Sequence, residues 1–397
     1  MRRINRRIVL LTLLGIAGVV AVAWWLLETQ NRRMPAIQVL LEEATQALLA
    51  IDESRPAFMT HESTAEVLFL ADVWIRQGQP ERAKAVLQKL LRLAKGFGCR
   101  CHTRPTVHLE VAQRYLRMGD VATAESLAAD ALKEEVSSFT LSTQPEPLAA
   151  FFHQYLKVKS LAEARRLVEK ATGYPELALS ALADALMLNG QVDEARQLKR
   201  EVRQRLAAAV PDNPTLMPQP RTPLPPVPPT ANLMDYYLQA GDIEAAIQLL
   251  SGTPVGDRLR IALAEKLLEA GKPERALELF ANQRPVGDQV RLLVAKHYAK
   301  QGQLRKAMAV LEQIPNLRNE YTLVDIISAA AEGGHFRKAL ALARGLPDST
   351  RDPALQAVAL QMIKHGYYGS AYRLTRELQS EGARFWVLAA LLRRAVV

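Results

Sequence analysis

This chain of 397 residues is poor in the groupings that carry chemistry. It has no Gly-x-x-x-x-Gly-Lys-Ser/Thr loop, no Gly-x-Ser-x-Gly elbow, no His-Glu-x-x-His helix and no Gly-x-Gly-x-x-Gly after a strand. Phosphate cradling, nucleophile-elbow hydrolysis, zinc peptidase chemistry and dinucleotide binding therefore lose their usual sequence supports. Its seven histidines are scattered, and it has only two cysteines. The net charge of +10 invites a nucleic-acid reading, but no clustered basic stripe supports one. Residues 1–33 carry +5, residues 34–230 are neutral and residues 231–397 carry +5. The C-terminal excess is mild and unclustered, which argues against nucleic acid and leaves acidic partners or anionic headgroups open.

The two cysteines fall in Gly98-Cys99-Arg100-Cys101-His102, with His108 following after Pro105. One intervening residue, where the haem-attachment motif has two, excludes that motif. A small loop disulfide or two free thiols is the simplest reading. Zinc held by Cys99, Cys101, His102 and His108, or thiol redox chemistry, are the functional alternatives.

What the chain does have is a repeat. Glycine, then alanine five residues on, then leucine or valine three beyond that, occurs eight times, with glycines at Gly78, Gly119, Gly190, Gly241, Gly271, Gly302, Gly334 and Gly366. From Gly241 onward the steps are 30, 31, 32 and 32 residues. A ninth unit, Lys159 to Ala164 followed by Leu167, keeps the pattern with its glycine replaced. A period of this size marks a solenoid, in which each unit buries its apolar face against a neighbour.

Seven residues before the glycine stands a small residue (Ala71, Ala112, Ala183, Ala264, Ala295, Ala359), and four before it often an aromatic (Trp74, Tyr115, Tyr237, Tyr298). Positions three and four apart share a helix stripe, so the small residue permits close approach and the aromatic fills the space beside it. The glycine ends the first helix in a left-handed turn. Pro254, Pro285, Pro315 and Pro347 follow the second helix in four successive units.

Over roughly residues 60–380 this pattern resembles the tetratricopeptide repeats, with units near 31 residues where that family has about 34. The resemblance implies an all-α solenoid of stacked antiparallel helix pairs, a superhelix that binds other proteins without catalysis or cofactor. It further implies that first helices line an inner groove. Residues 13, 6 and 2 before the turn glycine then become candidate partner contacts: Arg258, Glu265 and Glu269; Gln289, Lys296 and Lys300; Tyr321, Ser328 and Glu332.

Ahead of the repeats, Arg2, Arg3, Arg6 and Arg7 precede Ile8–Leu27, twenty residues without a charge ending in Trp24-Trp25-Leu26-Leu27. Such a run spans a bilayer core, and the leading arginines place its N-terminus in the cytosol. The competing reading is a cleaved secretory signal at Ala21-Val22-Ala23; the length of the run favours a retained transmembrane helix. The expected organisation is a basic flank and signal anchor (1–33), an N-terminal repeat block (34–210), a proline-rich linker (211–230) and a C-terminal repeat block (231–397). The segment from Phe385 to Arg394 is read as a capping helix, with an exposed Phe-Trp docking patch as its alternative. The expected protein is a single-pass inner-membrane scaffold with its repeats in the periplasm or outside the cytoplasm. It would serve an envelope or secretion-type assembly, with homo-oligomerisation left open. The alternatives are an envelope redox or metal protein using Cys99, Cys101 and His102, or a scaffold facing the cytosol.

Overall fold

The computed structural model describes residues 25–53, 61–94, 104–133, 146–171, 175–209, 229–252, 256–280, 283, 286–314 and 320–396. Among these the secondary structure is entirely helical and no strand occurs. The chain is an all-α helical repeat fold that divides into two compact units. One comprises Gln38–Met217, the other Met1–Ile37 with Pro218–Val397.

In the first unit α1 (Ile37–Ala50) precedes four helix pairs. These are α2 (His61–Arg76) with α3 (Pro80–Ala94), α4 (Arg104–Arg117) with α5 (Val121–Lys133), α6 (Glu146–Tyr155) with α7 (Leu161–Val168), and α8 (Pro175–Leu188) with α9 (Val192–Ala209). Successive first helices α4, α6 and α8 pack side by side.

The second unit contains α10 (Pro229–Ala240) with α11 (Ile243–Gly252), α12 (Asp257–Glu269) with α13 (Pro273–Phe280), α14 (Val286–Lys300) with α15 (Leu304–Leu311), α16 (Glu320–Glu332) with α17 (Phe336–Arg344), and α18 (Asp348–Lys364) with α19 (Tyr368–Leu374). The last helix, α20 (Glu381–Val396), packs on α18 and α19. Phe385 is fully buried there, so α20 offers no exposed Phe-Trp face.

All eight turn glycines have positive φ, between 70° and 81°, and no other residue type does among those described. In each, the residue after the glycine donates its N–H to the carbonyl four positions before the glycine, as Gln303 does to Tyr298 at 2.8 Å. That bond crosses the left-handed residue and satisfies a carbonyl the helix leaves open. The same following residue then accepts from the alanine four further on, as Gln303 does from Ala307 at 3.1 Å, and so starts the second helix. One residue thus closes one helix and opens the next.

The ninth turn solves the problem without glycine. Lys159 keeps an ordinary backbone, and Ser160 caps α7 through a reciprocal box: Glu163 N–H donates to Ser160 Oγ while Ser160 N–H donates to the Glu163 carboxylate at 2.9 Å. The Ser160 backbone, the Lys159 ammonium and the Ser160 hydroxyl together hold the Glu163 carboxyl down at about 2.

Second helices are short in the C-terminal unit, where α13 and α15 have 8 residues and α17 has 9, against 15 in α3, 13 in α5 and 18 in α9; α7, also of 8 residues, is the exception in the first unit. Of the four prolines expected to stop them, Pro254, Pro285 and Pro315 lie outside the described residues. Pro347 begins the next helix instead of ending the last, since α17 already ends at its C-cap, Gly345. The predicted linker 211–230 lies outside the described residues except at its end, where α10 begins at Pro229. Proline suits a first helical turn because its missing N–H has no partner there.

The predicted span Ile8–Leu27 lies outside the described residues up to position 24. Among those described, no helix is long and apolar enough to cross a membrane.

Candidate interaction groove

Three first helices of the C-terminal unit, α12, α14 and α16, pack in succession. Each buries the stripe that holds its small residue: Leu263, Ala264 and Leu267 in α12, Val294, Ala295 and Tyr298 in α14, and Ile326, Ile327 and Ala330 in α16. The opposite stripe is polar and faces outward, as an amphipathic helix requires.

Along that polar side run two adjoining clefts. One, of about 530 Å³, lies between α12 and α14 and is lined by Glu265, Leu268, Glu269, His297, Lys300 and Gln301. The other, of about 300 Å³, lies between α14 and α16 and is lined by Leu293, Lys296, His297, Lys300, Asp325, Ser328, Ala329 and Glu332. They share His297 and Lys300, so the polar strip is continuous across three repeats.

Of the nine residues expected on this surface, Glu265, Glu269, Lys296, Lys300, Ser328 and Glu332 line the clefts. Arg258, Gln289 and Tyr321 are exposed nearer the starts of the same helices and line neither cleft. His297, Gln301 and Asp325 were not anticipated, although they stand five, one and nine residues before their turn glycines and so share the same helical faces.

The groove lysines are already engaged. Lys296 Nζ lies 2.7 Å from Asp325 Oδ2, and Lys300 Nζ lies 2.7 Å from Glu332 Oε1; each ion pair joins α14 to α16. Glu269 pairs with Lys266 at 2.7 Å, while Glu265 makes no ion pair among the described residues. The clefts are therefore lined by four carboxylates against two lysines. Burial pushes the His297 imidazole below its ordinary value, and Gln301 Nε2 lies 2.8 Å from His297 Nε2. A neutral imidazole, an amide and an open carboxylate offer hydrogen bonds to an extended peptide, with an acidic bias that favours a basic side chain.

The metal reading gains nothing. Cys99, Cys101 and His102 lie outside the described residues, and no group of three potential ligands occurs among those described. His108 sits inside α4 and is buried. Pro105 stands in the first turn of α4, where proline is tolerated.

Stretches at residues 267–325, 67–89 and 177–201 match models of the tetratricopeptide repeat. The chain thus contains these repeats, and the 267–325 match covers most of the groove. Repeats of this kind imply protein partners. No curated protein matches the chain. Among thirteen solved chains that match is the crystal structure of Ton1535 from Thermococcus onnurineus NA1, 13% identical over 85% of this chain and 94% of that one, with a TM-score of 0.24. At that score the likeness bears on neither fold nor function.

Proposed function

We propose that this protein is a non-catalytic scaffold that receives an extended segment of a partner protein along α12, α14 and α16. The reading is supported chiefly by the continuous polar strip through His297 and Lys300 inside the matched repeats. The partner segment carries at least one basic residue, which Glu265 and Glu269 attract at the groove's acidic end.

The finer reading rests on the sequence. Ile8–Leu27 anchors the chain in the cytoplasmic membrane with its N-terminus in the cytosol, and both repeat blocks work outside the cytoplasm in an envelope assembly. A photo-crosslinking amino acid at Gln301, used in native membranes, tests the groove. A discrete crosslinked partner, lost when Glu265 and Glu269 are both changed to lysine, is the expected outcome. Absence of any crosslinked protein from both this position and Ser328 ends the proposal.

A further inference from the structure

Residues 25–32 are helical, and their last turn lies against the final hairpin of the C-terminal unit. Arg32 donates from Nη2 to the Tyr367 hydroxyl at 3.3 Å, and its guanidinium carbon lies 4.7 Å from the centre of the Tyr367 ring. Arg373 donates to the side chain of Asn31. This places a cation beside the carbonyl end of the 25–32 helix, where the helix dipole favours it. Tyr367 is itself backed by Phe336 of the preceding repeat, ring centres 5.4 Å apart, so the seat is part of the packed repeat.

Gly369 shows how close the approach is. It is buried in the first turn of α19, and it does not have the left-handed backbone of the turn glycines. Nothing about its conformation asks for glycine, and a helical position favours alanine. What excludes a side chain is the N-terminal segment. A Cβ at this position would stand 3.2 Å from the carbonyl oxygens of both Asn31 and Arg33 and would overlap that of Gln30.

We infer that residues 30–33 form a strap clasped by the last repeat, so that the N-terminal segment carries the C-terminal unit directly. The unit that follows the strap in sequence, Gln38–Met217, is in topology an insertion between the strap and α10. The proline-rich stretch at 211–228 is then the second of two connections, not the sole tether of the C-terminal repeats. Taken with the anchor reading, on which only this step rests, the strap begins three residues past Leu27. The repeats that are last in sequence are thereby held at the membrane.

Hydrogen exchange of the full-length protein in detergent, read by mass spectrometry, tests the strap. Peptides covering residues 28–36 are expected to be protected, with the same protection over a tenfold range of protein concentration. In Gly369→Val and, separately, in Arg373→Ala, that protection falls about tenfold, equivalent to about 1.4 kcal/mol of opening free energy. Peptides within Asp348–Lys364 and Glu381–Val396 keep their rates, which shows that the repeats remain folded. Arg373 is exposed, so its variant serves if Gly369→Val disturbs folding. Unprotected 28–36 peptides in the unaltered chain, protection that depends on concentration, or protection unchanged in both variants overturns the strap. Failure of the anchor reading would instead appear as release of the chain from membranes, with the exchange pattern intact.

Discussion

Glycine recurs in this sequence for two separable physical reasons, and Gly271 and Gly302 divide them. Both have positive φ, at 71° and 74°. A side chain at Gly271 would meet nothing within 4 Å, whereas at Gly302 it would lie 2.7 Å from the His335 ring of the next repeat. Alanine at Gly271 therefore meets only the left-handed backbone, a loss of about 1–2 kcal/mol. Alanine at Gly302 carries that loss and must also displace His335, so it is expected to cost more. The excess should vanish when His335→Ala is added, because the two positions are in contact. Urea unfolding of the unaltered chain, Gly271→Ala, Gly302→Ala, His335→Ala and the Gly302→Ala/His335→Ala double variant measures both terms. Equal losses for the two single glycine variants, or an excess that survives His335→Ala, would refute the account. All eight turn glycines were legible in the sequence because left-handed backbone is a demand few residues meet. The ninth turn kept its alanine and leucine, and the capping residues Ser160 and Glu163 supplied what glycine could not.

Between neighbouring hairpins, the aromatic four positions before the turn does more than fill space. Trp74 Nε1 donates to Thr45 Oγ1 of α1 at 2.8 Å, Tyr115 hydrogen-bonds Gln88 of α3, Tyr155 donates to Glu125 of α5 at 2.8 Å, and Tyr298 donates to Glu274 of α13 at 2.6 Å. Each bond ties a first helix to the helix just before its own pair. The aromatic was legible at Trp74, Tyr115 and Tyr298 but not at Tyr155, whose turn has no glycine to count from, and none of the partners was legible, since Thr45, Gln88, Glu125 and Glu274 share a place in the fold and no residue type. Burial and the Glu274 carboxylate push the Tyr298 hydroxyl up to about 12, so it stays a donor throughout the neutral range. Tyr298→Phe keeps the ring and should cost about 1 kcal/mol, the usual worth of one hydrogen bond. Tyr298→Ala also leaves a cavity and should cost about 3–5 kcal/mol, as aromatic deletions do. Because each repeat leans only on its neighbours, hydrogen-exchange protection in α13 and α14 should fall further than in α18. A uniform loss across the unit would show that the repeats unfold as one block and that this contact is not a local coupling.

For the whole chain, the distribution of charge and the strap bear on one proposal, that the protein is held at a membrane. Residues 1–37 and 218–397 contain 29 basic and 18 acidic residues, a net +11, whereas 38–217 contain 22 and 23, a net −1. The whole positive excess thus belongs to the unit that includes the N-terminal segment. The sequence alone divided that excess into two halves, because nothing in its periodicity links Asn31 or Arg32 to residues more than 300 positions away. The strap is built largely on backbone carbonyls over a glycine, and backbone contacts leave no pattern in side chains. Two forces could therefore keep this protein on a bilayer: the twenty-residue apolar run, and attraction of a basic unit to anionic headgroups. They differ sharply in their response to salt. At 1 M salt the screening length falls to about 3 Å, which removes attraction to a charged surface but leaves the transfer free energy of an apolar span in place. Washing native membranes with 1 M salt, and then with alkaline carbonate, is expected to leave the full chain in the pellet. Replacing Leu13 and Val19 by arginine, which makes a central span costly, should move it to the supernatant after the same washes. Release of the unaltered chain by salt alone would assign the attachment to its basic unit and remove Ile8–Leu27 as an anchor.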